Sequence, residues 1–341
     1  MKIKALFLLI IMMGLGSCFE KEEPVAPYDR GDAQTGTVPM GPDYTYQIYY
    51  DLGSNSTIKS NDYMLWDLAF ECDKDSYHIK LNTAKFMRLF NTGSMNFDDI
   101  SDDNISSIED YEWKYDAPDG RLDTTAFGTW WQLESGSVVS KNEVYLLDLG
   151  KDENGRDIGT AKLQILGFDE GYLVKFRKFK EDISHEIKVE KDPEKIFVHL
   201  ALDNGGQIKD IEPQQQSWDI LFSKYTELLY YNEGSRIDSM RYIVTGALLN
   251  PKYCKAAMIS HKPFEDVSMS DIDSVEFSDA HNSIGHDWKW FDLEDSGSYV
   301  INSQMIFLLN DVEGFYYKLH FIDFYNESGE KGHPVFKFKK L

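Results

Sequence analysis

Cysteine is scarce: three in 341 residues, at positions 18, 72 and 254. With no C-x-x-C pair, neither a zinc ribbon nor a thioredoxin-type redox site is encoded. Cys72 and Cys254 lie far apart in the chain, so two buried free thiols are expected in preference to a disulfide. Basic residues are also short, 35 Lys and Arg against 58 Asp and Glu, for a net charge of −23. Loss of Lys2 and Lys4 with the first 17 residues, which hold no acid, would take this to −25. A surface so acidic repels nucleic acid and anionic lipid, and neither is expected as a partner. Long apolar runs are missing beyond Ala5–Gly14, which is too short for a membrane span and is followed at once by polar sequence. No stretch keeps a helical period over any length, which argues against an α-rich fold. Nucleophile elbow, Cys/His pair, P-loop and dinucleotide-binding glycine motif are all lacking. Two carboxylates would suffice for a glycosidase, yet nothing positive marks an enzyme, and a non-enzymatic protein is expected.

The start of the chain is informative. Lys2 and Lys4 precede the apolar run, and Leu15-Gly16-Ser17-Cys18 then reads as a lipobox. Small residues before the cysteine let extended backbone enter the signal peptidase, and the Cys18 sulfur takes the lipid. Residues 1–17 are therefore expected to be a lipoprotein signal peptide. Residues 18–43 are read as the lipidated cysteine and a flexible tether, rich in Pro, Gly and Asp and without hydrophobic period. Phe19-Glu20-Lys21-Glu22-Glu23 resembles the acidic export tag of Bacteroidota lipoproteins. An outer-membrane, lipid-anchored, surface-exposed protein is expected, touching the membrane only through its lipid.

Beyond the tether the sequence presents the same landmarks twice. Trp66-Asp67-Leu68-Ala69-Phe70 is answered by Trp218-Asp219-Ile220-Leu221-Phe222, and Leu52–Lys59 before the first by Leu202–Lys209 before the second. Phe97-Asp98-Asp99-Ile100 is answered by Phe264-Glu265-Asp266-Val267. Trp130–Ser137 matches Trp290–Ser298, and apolar strands follow at 144–147 and 305–309, then alternating strands at 161–166 and 316–324. Five landmarks in one order define two homologous units, 44–190 and 194–341. Alternation at Tyr44, Tyr46, Ile48 and Tyr50, and at Ile196, Val198, Leu200 and Leu202, is the period of β-strands. Asn154-Gly155 predicts a type I′ hairpin turn and Asp119-Gly120 marks another. Short helical turns are expected near 101–108 and 268–273, where Ser and Asp can cap them. The fold class is all-β: two mostly antiparallel units.

Trp-Asp-Ile/Leu-x-Phe, Lys224-Tyr225-Thr226, Val244–Asn250 and the ending Tyr317-Lys318-Leu319 through Asp323-Phe324-Tyr325 with Gly329–Gly332 resemble the HmuY-type lipoprotein family of Bacteroidota. The resemblance covers nearly all of the chain after the tether, the second unit more closely. It implies an all-β protein that holds haem between two axial side chains, a His pair or Met, and passes it to an outer-membrane receptor. One family ligand lies on a hairpin between the Phe-Asp landmark and the later Trp, the other in the turn just after that Trp. Here the turns Phe291–Gly297 and Gln132–Val138 contain neither His nor Met. Haem, or a comparable small ligand, is thus implied by the resemblance alone. A structural or protein-interaction module of the outer membrane is the competing expectation.

Residues found in both units, such as Trp66/Trp218 and Asp67/Asp219, are expected to serve packing and turns; function should fall on residues unique to one. His281 and His286, five apart in a polar segment, are the candidate ligand-binding pair, because imidazole is a common metal donor; the plain alternative is two solvated loop histidines. Met269 and His261 are weaker candidates, and His320 reads as a strand residue. Tyr225, Tyr230, Tyr231 and Tyr242 could stack on a flat or sugar-like ligand or simply line a sheet. His185-Glu186 lacks the second His of a metalloprotease motif. Asp152–Asp157 fails the calcium-loop spacing and is explained by a turn.

Overall fold

The computed structural model describes residues 31–102, 111–234, 236–294 and 296–341. Cys18, the signal peptide and most of the expected 101–108 turn lie outside them. Among the described residues no helix is long and apolar enough to cross a membrane. The chain is nearly all β, as its alternating pattern requires. Residues 32–341 form one unit.

Four antiparallel sheets carry the structure. One five-stranded sheet joins Arg88–Asn91, Val144–Asp148, Thr160–Phe168, Gly171–Lys178 and His185–Glu190. Its inner residues, Leu147, Leu163, Val174 and Phe176 among them, are buried against Leu68, Phe70, Val198 and Leu200. The other five-stranded sheet joins Lys255–Ile259, Ile306–Asn310, Tyr316–Tyr325, Lys331–Lys340 and Gln34–Thr37. There Phe307, Leu319, Phe321 and Phe336 pack on Ile48, Tyr50, Ile220 and Phe222. Each core is thus a sandwich closed by a four-stranded sheet.

The four-stranded sheets do not follow the 44–190 and 194–341 boundaries. The hairpin Tyr46–Asp51/Ser56–Asp62, from the first half of the chain, pairs with Ile220–Glu233 of the second, Tyr50 opposite Ile220. The hairpin Phe197–Ala201/Gln207–Lys209, from the second half, pairs with Leu68–Glu71 of the first, Leu200 opposite Leu68. The halves have exchanged hairpins. Tyr49, Ala69, Ile196, Phe197, Ile211 and Trp218 then form a third buried cluster between the two four-stranded sheets. This double burial explains why all five residues of Phe197–Ala201 are buried.

The repeated landmarks clamp this exchange. The backbone N–H of Leu202 donates to Asp67 Oδ2 at 2.7 Å, and that of Leu52 donates to Asp219 Oδ2 at 2.8 Å. Each Asp therefore holds the hairpin borrowed from the other half. Asn82 Nδ2 donates to Tyr63 O and Trp66 O, and Asn250 Nδ2 to Gln215 O and Trp218 O. The landmarks serve backbone satisfaction, as their presence in both halves led one to expect.

A second pair of devices sits under the Phe-Asp landmarks. Lys162 Nζ donates to Phe97 O and Ile100 O, each at 2.7 Å. Lys318 Nζ donates to Phe264 O, Glu265 O and Val267 O at 2.7, 3.2 and 2.8 Å. Burial lowers both lysine pKa values. Lys318→Met keeps the alkyl stem but orphans three carbonyl oxygens. It should lose about 1–3 kcal/mol, seen as a lower urea midpoint at unchanged slope.

Four local expectations are corrected. The tether expected through residue 43 stops short of Gln34: Gln34–Thr37 pairs with strand Lys331–Lys340, and Val38 and Met40 are buried in the core. Gly155 is left-handed (φ 76°) but Asn154 is not, so the 152–155 turn is not type I′. Gly155 N–H donates to Asp152 O, and Asp152 Oδ1 accepts from the backbone N–H groups of Asn154 and Arg156, which holds Asn154 out of that conformation. Asp119-Gly120 turns a loop into the 3-10 turn Leu122–Thr124 and makes no hairpin. The buried counterpart of Trp130 is Trp288, not Trp290: each stands just before a small hairpin and is 1% exposed, whereas Trp290 is 50% exposed. The longer turn between Lys289–Asp292 and Ser298–Ile301 absorbs the offset. The 268–273 expectation is met by a 3-10 turn, Met269–Ser274, with a capping box from Ser268 and Asp271.

Candidate functional site

Where the two four-stranded sheets face each other they leave a cavity of about 90 Å³. An open groove of about 610 Å³ adjoins it, sharing Gly120, Ile196, Phe197 and Pro251 with the cavity wall. The groove is the larger space, and its floor is set by strand Leu68–Glu71 and the turn that follows. Glu71 Oε2 accepts from Ser76 Oγ at 2.5 Å and from the His78 backbone N–H at 3.2 Å, and it lies 2.8 Å from His78 Nδ1. Burial raises the Glu71 pKa, but the hydrogen bonds from His78 and Ser76 outweigh it and the net shift is downward. An ionised Glu71 takes the Nδ1–H of His78, which leaves the lone pair on Nε2. This is the carboxylate–histidine pairing that orients a metal-ligating imidazole. The Trp131 ring edge, 5.1 Å from the imidazole, fixes the remaining freedom.

Ser76, His78 and Glu71 also hold the three residue types of a hydrolytic triad. Their geometry does not make one. Ser76 Oγ and Glu71 Oε2 both meet Nδ1, and a single ring nitrogen cannot accept from the serine while donating to the carboxylate. On the groove rim Arg121 pairs with Asp119 at 2.9 Å and Lys252 pairs with Asp73.

His281 lines the inner cavity. Its Nδ1–H donates to Leu249 O at 2.5 Å, its own carbonyl accepts from Leu249 N–H, and its N–H donates to Asp119 O. Burial, with Lys80 adding to it, depresses its pKa to about 3, so the ring stays neutral. His286 is not part of that wall. Its Nδ1 is 3.3 Å from Tyr225 Oη, and its Nε2 is 3.2 Å from the exposed Asp287 carboxylate. Different partners thus hold the two rings. Met269 is exposed, and His320 stacks on Phe264 at 4.4 Å within strand Tyr316–Tyr325. Tyr225 is buried, while Tyr230, Tyr231 and Tyr242 are exposed toward the tip of the hairpin Ile220–Glu233/Arg236–Leu249. Both Cys72 and Cys254 are free and buried, and burial lifts the Cys72 thiol to about 11. No group of three or more His, Cys, Asp or Glu able to hold a metal ion occurs among the described residues.

Sequence reasoning missed His78 and Glu71. The signal available was a Glu-x₆-His spacing around a Ser in a turn, which has no diagnostic value without the fold.

The architecture is an all-β double sandwich with an open groove beside its central sheets. The family model described as HmuY protein matches residues 43–338, and the chain belongs to that family. No curated protein matches. Among solved structures, apo PinO from Porphyromonas gingivitis is 11% identical, with 91% of this chain and 98% of that chain covered and a TM-score of 0.29. The apo HmuY analog TFO from Tannerella forsythia is 12% identical, with 92% and 98% covered and a TM-score of 0.29. An HmuY-like heme binding protein from Bacteroides vulgatus is 10% identical, with 91% and 94% covered and a TM-score of 0.23. At these scores no structural detail is carried over.

Proposed function

We propose that this protein is a non-enzymatic, lipid-anchored surface protein that captures haem, or a ligand of comparable size, for transfer to an outer-membrane receptor. Membership of the HmuY family carries this reading, and the lipobox at Cys18 supports the location. Space favours the groove for such a ligand. The inner cavity of about 90 Å³ is far below the roughly 300–1,000 Å³ of pockets for drug-sized ligands, whereas the groove of about 610 Å³ falls within that range. His78 would hold the haem iron through Nε2, with Glu71 holding its Nδ1–H. Arg121 and Lys252 would turn from Asp119 and Asp73 to the ligand carboxylates. When bound, haem brings a metal that takes the imidazole; the chain's part is to hold, orient and release it.

Haem titration of the full chain, followed at the Soret band, tests this. A saturable shift is expected, weakened at least tenfold by His78→Ala. His281→Ala combined with His286→Ala is the contrasting variant. If that double variant abolishes the shift and His78→Ala does not, the sequence-derived pair is the ligand set and the groove assignment falls. If neither ferric nor ferrous haem shifts the band, the haem reading is lost and the interaction module takes its place.

A further inference from the structure

The inner cavity between the four-stranded sheets, partly open toward the groove, contains a set of groups that the groove does not use. Gln47 Nε2, His199 Nδ1 and Trp218 Nε1 are buried, in residues 2%, 5% and 2% exposed, and have no hydrogen-bond partner in the protein. All three residues line this one cavity. Trp66 Nε1–H donates to Gln47 Oε1 at 3.3 Å, which fixes the amide and commits its NH₂ end as the free donor. An indole N–H can only donate. Each such group left unpaired costs about 1–3 kcal/mol, and native proteins rarely leave several at one place. Gln47 Nε2 and Trp218 Nε1 can only donate, and two such donors lining one cavity suit a ligand that accepts; the neutral His199 ring can do either.

The surrounding chemistry narrows the class. Lys80 lines the same space; burial lowers its pKa, and the carboxylates of Asp116 and Glu212 work against that shift. Tyr49 and Trp218, edge to face at 4.9 Å, and Trp66 against His199 at 4.7 Å give the walls flat aromatic surfaces. The carboxylates nearby are already engaged. Glu212 accepts from the backbone N–H groups of Ile196 and Phe197 at 2.9 and 3.1 Å, and Asp116 from those of Leu81 and Ala126 at 2.7 and 2.8 Å. Burial raises the Glu212 pKa to about 8, which removes a repelling charge at neutral pH. The volume suits a molecule of roughly six to ten non-hydrogen atoms, or several waters.

We propose that this cavity is a binding site for a small flat monocarboxylate, whose oxygens accept from Gln47 Nε2 and Trp218 Nε1 beside Lys80 and whose ring packs against the aromatic wall formed by Tyr49, Trp66 and Trp218. The site is distinct from the haem groove and does not rest on haem binding, although the groove forms its vestibule. Benzoate is the probe, measured by titration calorimetry on the full chain, with benzyl alcohol as the uncharged match and acetate as the ringless one. Saturable benzoate binding is expected, with both controls at least tenfold weaker. Gln47→Leu and Trp218→Phe should each weaken benzoate about tenfold and leave the haem titration unchanged. Should either variant fold poorly, a nuclear Overhauser contact from benzoate to the Trp218 indole N–H in the unaltered protein serves in its place. No benzoate binding, equal binding of benzyl alcohol, or binding with no contact to Trp218 and no response to either variant would each overturn the assignment, leaving a cavity that holds water only.

Discussion

Asp67→Ala is expected to destabilise the protein by about 3–5 kcal/mol, a large part of the stability of an ordinary domain. Asp67 Oδ1 pairs with Lys85 Nζ at 2.7 Å, and the two side chains are only 6% and 5% exposed. Its other oxygen takes the N–H of Leu202. Removing the carboxylate strands a buried ammonium and orphans a backbone donor in the borrowed hairpin. The penalty comes from what is left behind, so Asp67→Ala with Lys85→Met should recover most of it. Urea unfolding of both variants checks this. Equal midpoints for Asp67→Ala and the unaltered protein would refute the account, and so would a double variant no better than the single one.

Asp219 stands at the equivalent place and should behave differently. Three residues after Asn82 comes Lys85; three after Asn250 comes Tyr253, so Asp219 lacks the cation. Burial, opposed by the N–H groups of Val312 and Leu52 and reinforced by the nearby Asp51 and Asp311 carboxylates, raises its pKa to about 7, against an ordinary value of 3.8. For a carboxyl raised on folding, the folded state holds the proton between these two values while the unfolded state has released it. Stability from this group is therefore greatest below pH 3.8, falls as pH rises, and levels off above about pH 7. The interval corresponds to on the order of 4 kcal/mol. Asp219→Asn cannot titrate. It loses one backbone acceptor at every pH, since an amide NH₂ then faces an N–H, but it escapes the decline. The difference in unfolding free energy between the two proteins should therefore move in favour of Asp219→Asn from pH 4 to pH 8. A difference that is flat across that range, or that moves the other way, would show Asp219 to be an ordinary ionised carboxylate.

The sequence disclosed much of the fold because its signals are local. Alternation in Tyr44–Tyr50 and Ile196–Leu202 names strands and their faces, and the duplicated Trp-Asp pairs mark backbone caps. What alternation cannot name is the partner. Tyr50 could pair within its own half as readily as with Ile220, and only the packing of the whole chain selects the exchange. The Trp290 misalignment has the same origin: a turn of different length shifts the apparent match while burial keeps Trp130 and Trp288 equivalent. The candidate site was the least legible part. His78 and Glu71 meet through a turn, and Gln47, His199 and Trp218 meet across two sheets from three distant segments. Their significance is the lack of partners, which no sequence pattern expresses. His281 and His286 drew notice for their closeness in sequence, yet Leu249 and Tyr225 hold their rings separately.

The exchanged hairpins also bear on how anything gets in or out. In a protein of two abutting lobes, a buried chamber can be exposed by the lobes swinging apart. Here each sandwich is completed by strands threaded from the other, so that swing would break the pairings of Tyr50 with Ile220 and of Leu200 with Leu68. The lobes are interlocked, and the chamber cannot open along its seam. Passage runs instead through the adjoining groove, past the 116–123 loop and the segment around His281. The rate at which a guest is exchanged is then a property of those loops, set independently of the strength of the walls.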